Sequence, residues 1–174
     1  IESLSKNYPC YYVAGNHERW VEYTDEIKEL ISSCGATVVS DTSVNLGDNI
    51  TLYGIDDPLF YPNEGFFPSL SSLSPDKDKF NILLSHRPEY APVYGEYGFN
   101  LTLCGHAHGG QVRIPLLLNG LYAPHQGWFP KYAGGNYSFD DGSHVIVSRG
   151  LMIDNLPRVF DPPELVIVNI TPAK

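Results

Sequence analysis

Two imidazoles on alternate residues, His106 and His108, stand inside the string Gly105-His106-Ala107-His108-Gly109-Gly110-Gln111, immediately after the apolar run 101–104. Imidazole is the commonest metal-binding side chain, and the nitrogen that binds is decided by what the other one hydrogen-bonds to. Alternate residues of an extended chain point to opposite faces. A site shared by both rings therefore needs a bend, which the flanking glycines permit. Alone, the string fits a metal site and a polar turn equally well.

Two other stretches repeat the pattern. Residues 11–14 read as a short buried strand running into Gly15-Asn16-His17-Glu18, and residues 80–85 read as another that stops at His86. Each time an apolar run ends and His or Asn appears at its carboxyl end, where sheets flanked by helices place their ligands. Three such ends converging would make one site.

In this order, Gly15-Asn16-His17-Glu18, Ser85-His86 and Gly105-His106-Ala107-His108 resemble the later motifs of the calcineurin-like metallophosphoesterase superfamily. Further on, Gly109-Gly110-Gln111-Val112-Arg113-Ile114-Pro115, Leu121-Tyr122-Ala123-Pro124, Gln126-Gly127, Phe129-Pro130-Lys131-Tyr132 and Ser148-Arg149-Gly150-Leu151 resemble a branch of bacterial phosphodiesterases that are often membrane-anchored. The likeness runs from Tyr11 to the carboxyl end. It implies a metal-dependent phosphoesterase that hydrolyses phosphodiesters or pyrophosphates with a hydroxide bridging two divalent ions. Asn16, His86 and His106 would hold one ion and His108 the other, while His17 would protonate the leaving oxygen as general acid. Mixed imidazole and oxygen donors suit manganese, iron or zinc better than calcium or magnesium. Arg113 and Arg149 adjoin the motifs and are candidates to clamp a substrate phosphate, a structural salt bridge being the alternative for each. A phosphodiester or lipid-linked pyrophosphate is the implied substrate, and the cytoplasmic membrane the implied location.

The superfamily also carries an Asp-x-His and a Gly-Asp before the Asn-His motif. No Asp-x-His occurs in the 174 residues, and Gly47-Asp48 follows the Asn-His motif and reads as a turn. The expectation is therefore a single domain over 1–174, N-terminally incomplete: a layered α/β sandwich of two mixed sheets flanked by helices, lacking its first strands. Such a chain is expected to hold at most one ion weakly, to be inactive alone and to expose a sheet edge that invites self-association. The competing reading is a degenerate metallophosphoesterase fold kept as a binding or scaffold module.

Composition agrees with a globular enzyme, at 43% hydrophobic and 13% aromatic residues. A net charge of −9 argues against a nucleic-acid surface, and no apolar run approaches the roughly 20 residues needed to cross a bilayer. The spacing of Cys10, Cys34 and Cys104 suits neither a zinc knuckle nor a disulfide framework; Cys10 and Cys104 are expected as buried thiols.

The elements that must position the site follow in order. Residues 24–33 read as a helix with Thr24 as cap and Ile27, Leu30 and Ile31 on one face, ended by Gly35. Strands are expected at 37–40, at 43–45 and 50–55 around Gly47-Asp48, at 144–148 and at 164–170, the last two closing the second sheet. Asp56 and Asp57 are candidate ligands, but a solvated acidic turn after a strand is the favoured reading because the resemblance places no ligand there; a short helix is expected near 68–73. His125 and His144 match no ligand position and read as a turn residue and a strand start. The apolar loop 115–137 is expected to pack most of its large side chains, with a lipid-facing or substrate-facing lip as the alternative.

Overall fold

The computed structural model describes residues 1–151 and 157–171. Ten strands run in chain order: β1 (Cys10–Tyr12), β2 (Ala36–Val38), β3 (Thr42–Asn45), β4 (Ile50–Gly54), β5 (Phe80–Leu84), β6 (Leu101–Cys104), β7 (Tyr122–Ala123), β8 (Gly127–Trp128), β9 (Gly135–Ser138) and β10 (His144–Val147). The α-helices are α1 (Glu2–Ser5), α2 (Asn16–Arg19), α3 (Thr24–Ser33), α4 (Phe66–Ser72) and α5 (Ala91–Tyr94). Six strands form one mixed sheet in the order β3-β4-β5-β6-β10-β9. Its four inner strands are parallel and its two edge strands antiparallel. Parallel neighbours need both faces covered, which fits the mostly apolar β5 and β6, whose polar Asn81 and Thr102 are themselves buried.

Register sorts the side chains into two layers. Leu52, Ile82 and Leu101 lie side by side across β4, β5 and β6 and build one face. On the other face Tyr53 and Leu83 meet Phe66 and Leu70 of α4, Tyr94 of α5 and Phe99. Because the parallel strands share a direction, the loops after β4, β5 and β6 all leave the same end of the sheet. The pair β1-β2 joins that end through two bonds: Ala14 N–H donates to Asp56 Oδ1 (2.8 Å), and Asp57 N–H to the Ala14 carbonyl (2.9 Å).

The mixed α/β class with helices flanking a mixed sheet is as expected, but the second sheet differs. Among the described residues it is represented only by the two-stranded pairs β1-β2 and β7-β8. Residues 164–170 form no strand. Their alternation is apolar, yet Leu165 and Ile167 are each 79% exposed, and no ladder partner lies beside them among the described residues. Alternation supplies a face; a strand also requires a neighbour for its backbone. Leu165, Val166 and Val168 instead border a hollow with Leu103 of β6 and Ile146 of β10.

Smaller corrections have local causes. Thr24 lies inside α3, its hydroxyl donating to the Glu18 carbonyl (2.7 Å) and so tying α3 to α2 rather than capping it. Leu30 faces solvent. All three cysteines are free; Cys104 is buried, whereas Cys10, on the two-stranded pair, is only half-buried. Among the described residues no helix is long and apolar enough to cross a membrane.

Candidate metal centre and active site

Three donors reach one point from three strand ends. Asn16, 2% exposed, opens α2 just past β1; His86 follows β5 by two residues, and His106, 4% exposed, follows β6 by two. Asn16 Oδ1 lies 2.8 Å from His86 Nε2 and 3.1 Å from His106 Nδ1, and those two nitrogens are 3.0 Å apart. Adjacent ligands of an octahedral ion with bonds of about 2.1 Å are separated by about 3 Å. The triangle is therefore the size of one face of such a coordination sphere. Gly15 makes the approach possible, because a Cβ there would stand 2.8 Å from His86 Cε1.

The electrostatics favour neutral rings with available lone pairs. Burial, opposed by Asp57 and assisted by Arg87, lowers His86 to about 4, and burial with the neighbouring His86 and Arg87 lowers His106 to about 2. Neutral imidazole is the form that binds metal.

The bend past β6 is sharper than glycine alone explains. His106 (φ 65°), His108 (φ 48°) and Gln111 (φ 63°) share the left-handed region with Gly109 and Gly110, at a cost of about 1–2 kcal/mol for each non-glycine. Such strain persists where surroundings over-determine it, commonly at functional sites. The bend sends the two rings apart. His106 enters the triangle, while the His108 ring lies 6.4 Å from that of His17. His17 is exposed, 4.6 Å from the Trp20 ring. The structure thus brings Asn16, His86 and His106 together and sets His108 near His17 at the rim.

Asp56 and Asp57, expected in solvent, are 3% and 0% exposed. They sit at the end of β4, a fourth strand end beside the other three. Asp57 Oδ2 and Oδ1 take Arg87 Nε (2.5 Å) and Nη2 (2.8 Å), a two-pronged buried ion pair directly behind His86. Asp56 accepts from Ala14 N–H, Ser40 Oγ and Lys28 Nζ. Both aspartates carry the same pattern as the ligands, an apolar run ending in a polar residue, and the solvated reading prevails only because the resemblance places no ligand there.

Of the two candidate phosphate arginines, Arg149 is 8% exposed and engaged by Asp161 (3.1 Å), Glu164 (3.1 Å) and Asn119 (3.0 Å), which fastens residues 161–164 to the end of β10. Arg113 lines a surface hollow with Leu116, Leu117, Leu118 and Asn119. His125, dismissed from sequence, places Nδ1 2.9 Å from His106 Nε2. Glu89, His106 and His125 also offer ligand atoms within 4.8 Å of one another.

The apolar loop departs from expectation. Leu116 and Leu117 are 104% and 85% exposed, and Tyr122, Trp128 and Phe129 are exposed as well; Tyr132 is buried. Most of the loop's large side chains face solvent. No acidic residue occurs between Glu96 and Asp140, although the chain holds 20.

The three-donor triangle, its glycine and all of the following bend but Gln111 fall within residues 1–110, which match the family model described as calcineurin-like phosphoesterase. The chain belongs to that family. It is 34% identical over 167 residues to the uncharacterized metallophosphoesterase YkuE of Bacillus subtilis, covering 92% of this chain and 55% of that protein. It is 28% identical over 156 residues to phosphodiesterase YaeI of Escherichia coli, covering 87% and 54%. Against UDP-2,3-diacylglucosamine pyrophosphatase LpxG of Chlamydia muridarum it is 24% identical over 178 residues, covering 95% and 52%. The chain spans about half the length of these curated relatives. No solved structure matches it. Calcineurin-like phosphoesterases imply divalent metal ions, and the donor types and spacing found here fit one.

Proposed function

We propose that this chain contributes the Asn-His-His face of a metal-dependent phosphoesterase site acting on phosphodiesters or pyrophosphates. The observation that carries the reading is the triangle of Asn16 Oδ1, His86 Nε2 and His106 Nδ1, with sides of 2.8 to 3.1 Å. These three residues would hold a divalent ion, which would supply charge neutralisation of phosphoryl oxygens and a lowered pKa for bound water, the chemistry a phosphodiester needs. His108 would hold a second ion, and His17, at the exposed rim, would give a ring proton to the leaving oxygen. Arg87, locked to Asp57, holds the rear of the cluster.

All three donors of the triangle are neutral, and Asp56 and Asp57 are committed elsewhere. Residues 1–174 therefore bind one ion weakly and turn over negligibly without the carboxylate donors that an Asp-x-His and a Gly-Asp motif provide. A scaffold module has no physical need for three buried donors at coordination spacing, which favours the enzyme. The exposed, acid-free loop supports an amphiphilic, lipid-linked substrate and contact with a membrane. The edge strands β3 and β9 offer a route to self-association.

Calorimetric titration with manganese and hydrolysis of bis(4-nitrophenyl) phosphate test this on residues 1–174 and on a version preceded by those two motifs. One weakly held ion without turnover in the first and two ions with turnover in the second are expected. Equal turnover by both overturns the reading.

A further inference from the structure

We infer that His125 is a positioning residue that fixes the tautomer of His106, keeping its Nδ1 lone pair aimed into the triangle. The inference rests on the proposed role of His106 as a donor to the ion. A neutral imidazole carries one proton. For Nδ1 to act as donor, the proton must sit on Nε2 and find an acceptor there. Two groups face Nε2: Arg87 Nη1 at 3.4 Å and His125 Nδ1 at 2.9 Å. A guanidinium only donates, so Arg87 by itself would select the opposite tautomer. His125 Nδ1 is the nearer group and can accept.

The surroundings hold both neighbours in these roles. Arg87 is mostly committed to its own partners, with Nε and Nη2 on Asp57 and Nη1 shared between Glu89 Oε1 (3.2 Å) and His106 Nε2, the latter its longest contact. Glu89 Oε2 is sealed without a hydrogen-bond partner among the described residues, and Glu89 belongs to the same group as His106 and His125. It backs the pair with negative charge. His125 sits in the turn between β7 and β8 in the left-handed region (φ 62°). The turn is clamped by the next residue: Gln126 Nε2 donates to the Tyr132 carbonyl (3.0 Å), and its Oε1 accepts from Tyr132 N–H (2.9 Å). A strained turn held on both sides presents Nδ1 at a set place.

The remaining protons then fall into one consistent chain. His86 Nε2–H faces Asn16 Oδ1 and His106 Nδ1; His106 Nε2–H donates to His125. Such outer partners of metal-bound histidines typically change metal affinity 10–100-fold when removed.

The test is long-range proton–nitrogen correlation NMR on residues 1–174 labelled with nitrogen-15 histidine, without metal and then with zinc. The expected metal-free tautomers are Nε2–H for His106 and for His86. Zinc is expected to leave His106 unchanged and to move the His86 proton to Nδ1. His125→Ala is expected to mix the His106 tautomers and weaken zinc binding roughly 10–100-fold, and His125→Gln, which keeps an acceptor, to restore most of both. An Nδ1–H tautomer for His106 in the unsubstituted protein overturns the inference even if the variants fail to fold. So does zinc binding to Nε2 of His106 together with Glu89 and His125. The predicted metal-free tautomer with no zinc binding at all sinks the functional reading and leaves the His125 contact standing.

Discussion

The loops that end β1, β5 and β6 and the loop over residues 114–131 are parts of one chain, yet they are held in opposite ways. The first set is polar and buried: Asn16, His86 and His106 touch one another, and Arg87 and Asp57 brace them from behind. The second is apolar and open, with Leu116, Leu117, Trp128 and Phe129 largely in solvent. Buried polar groups survive only when satisfied, so every member of the first set is pinned by partners within the fold. Exposed apolar groups carry no such demand, and within the loop they meet little more than one another, as where the Tyr122 and Trp128 rings lie 5.5 Å apart. Chemistry requires the first condition, and contact with an amphiphile suits the second.

That contrast breaks first at the brace. Removing one partner of a buried ion pair leaves the other charged and uncompensated, at about 3–5 kcal/mol. Arg87→Ala is expected to lower the melting temperature by roughly 6–20 °C, whereas Leu116→Ser with Leu117→Ser is expected to change it by no more than about 2–4 °C. Similar shifts from both, read by differential scanning calorimetry, would erase the distinction between the two regions.

Acid sharpens it next. His86 and His106 are held neutral, their folded values of about 4 and about 2 lying below the unfolded value near 6.5. Below about pH 6.5 the unfolded chain therefore binds more protons than the folded one, and stability falls from there towards pH 4. The urea midpoint is expected to decline between pH 6.5 and 5, above the range where most carboxylates titrate. Replacing both histidines with glutamine is expected to flatten that decline; an unchanged slope would show that the rings are not kept neutral.

The smallest expected effect concerns the open loop. Trp128→Ser with Phe129→Ser should weaken binding to vesicles containing anionic lipid, leaving the melting temperature within about 2–4 °C and metal affinity as it was. Loss of stability instead would assign these side chains to packing.

Much of the site was legible because its rule is local: an apolar run stops, and a donor follows. Asn16, His86 and His106 obey it, and so does Asp57, which reads as solvated only because the resemblance places no ligand at that position. Its burial depends on Arg87, 30 residues away, and such pairing is invisible along the chain. His125 was illegible for the same reason, since only the clamp between Gln126 and Tyr132 brings its turn to His106. In the fold, β5, β6 and α3 could be drawn from pattern. Residues 164–170 could not, because alternation describes a face and is silent about whether a neighbouring backbone stands beside it.

The most direct test of the central claim is a crystal of this chain soaked in manganese, with data collected at a wavelength where manganese scatters anomalously. The account predicts one peak about 2.1–2.3 Å from each of Asn16 Oδ1, His86 Nε2 and His106 Nδ1. A peak on the opposite side of His106, held by Nε2 with Glu89 and His125, or no peak at the triangle at manganese concentrations that saturate the titration, would contradict it.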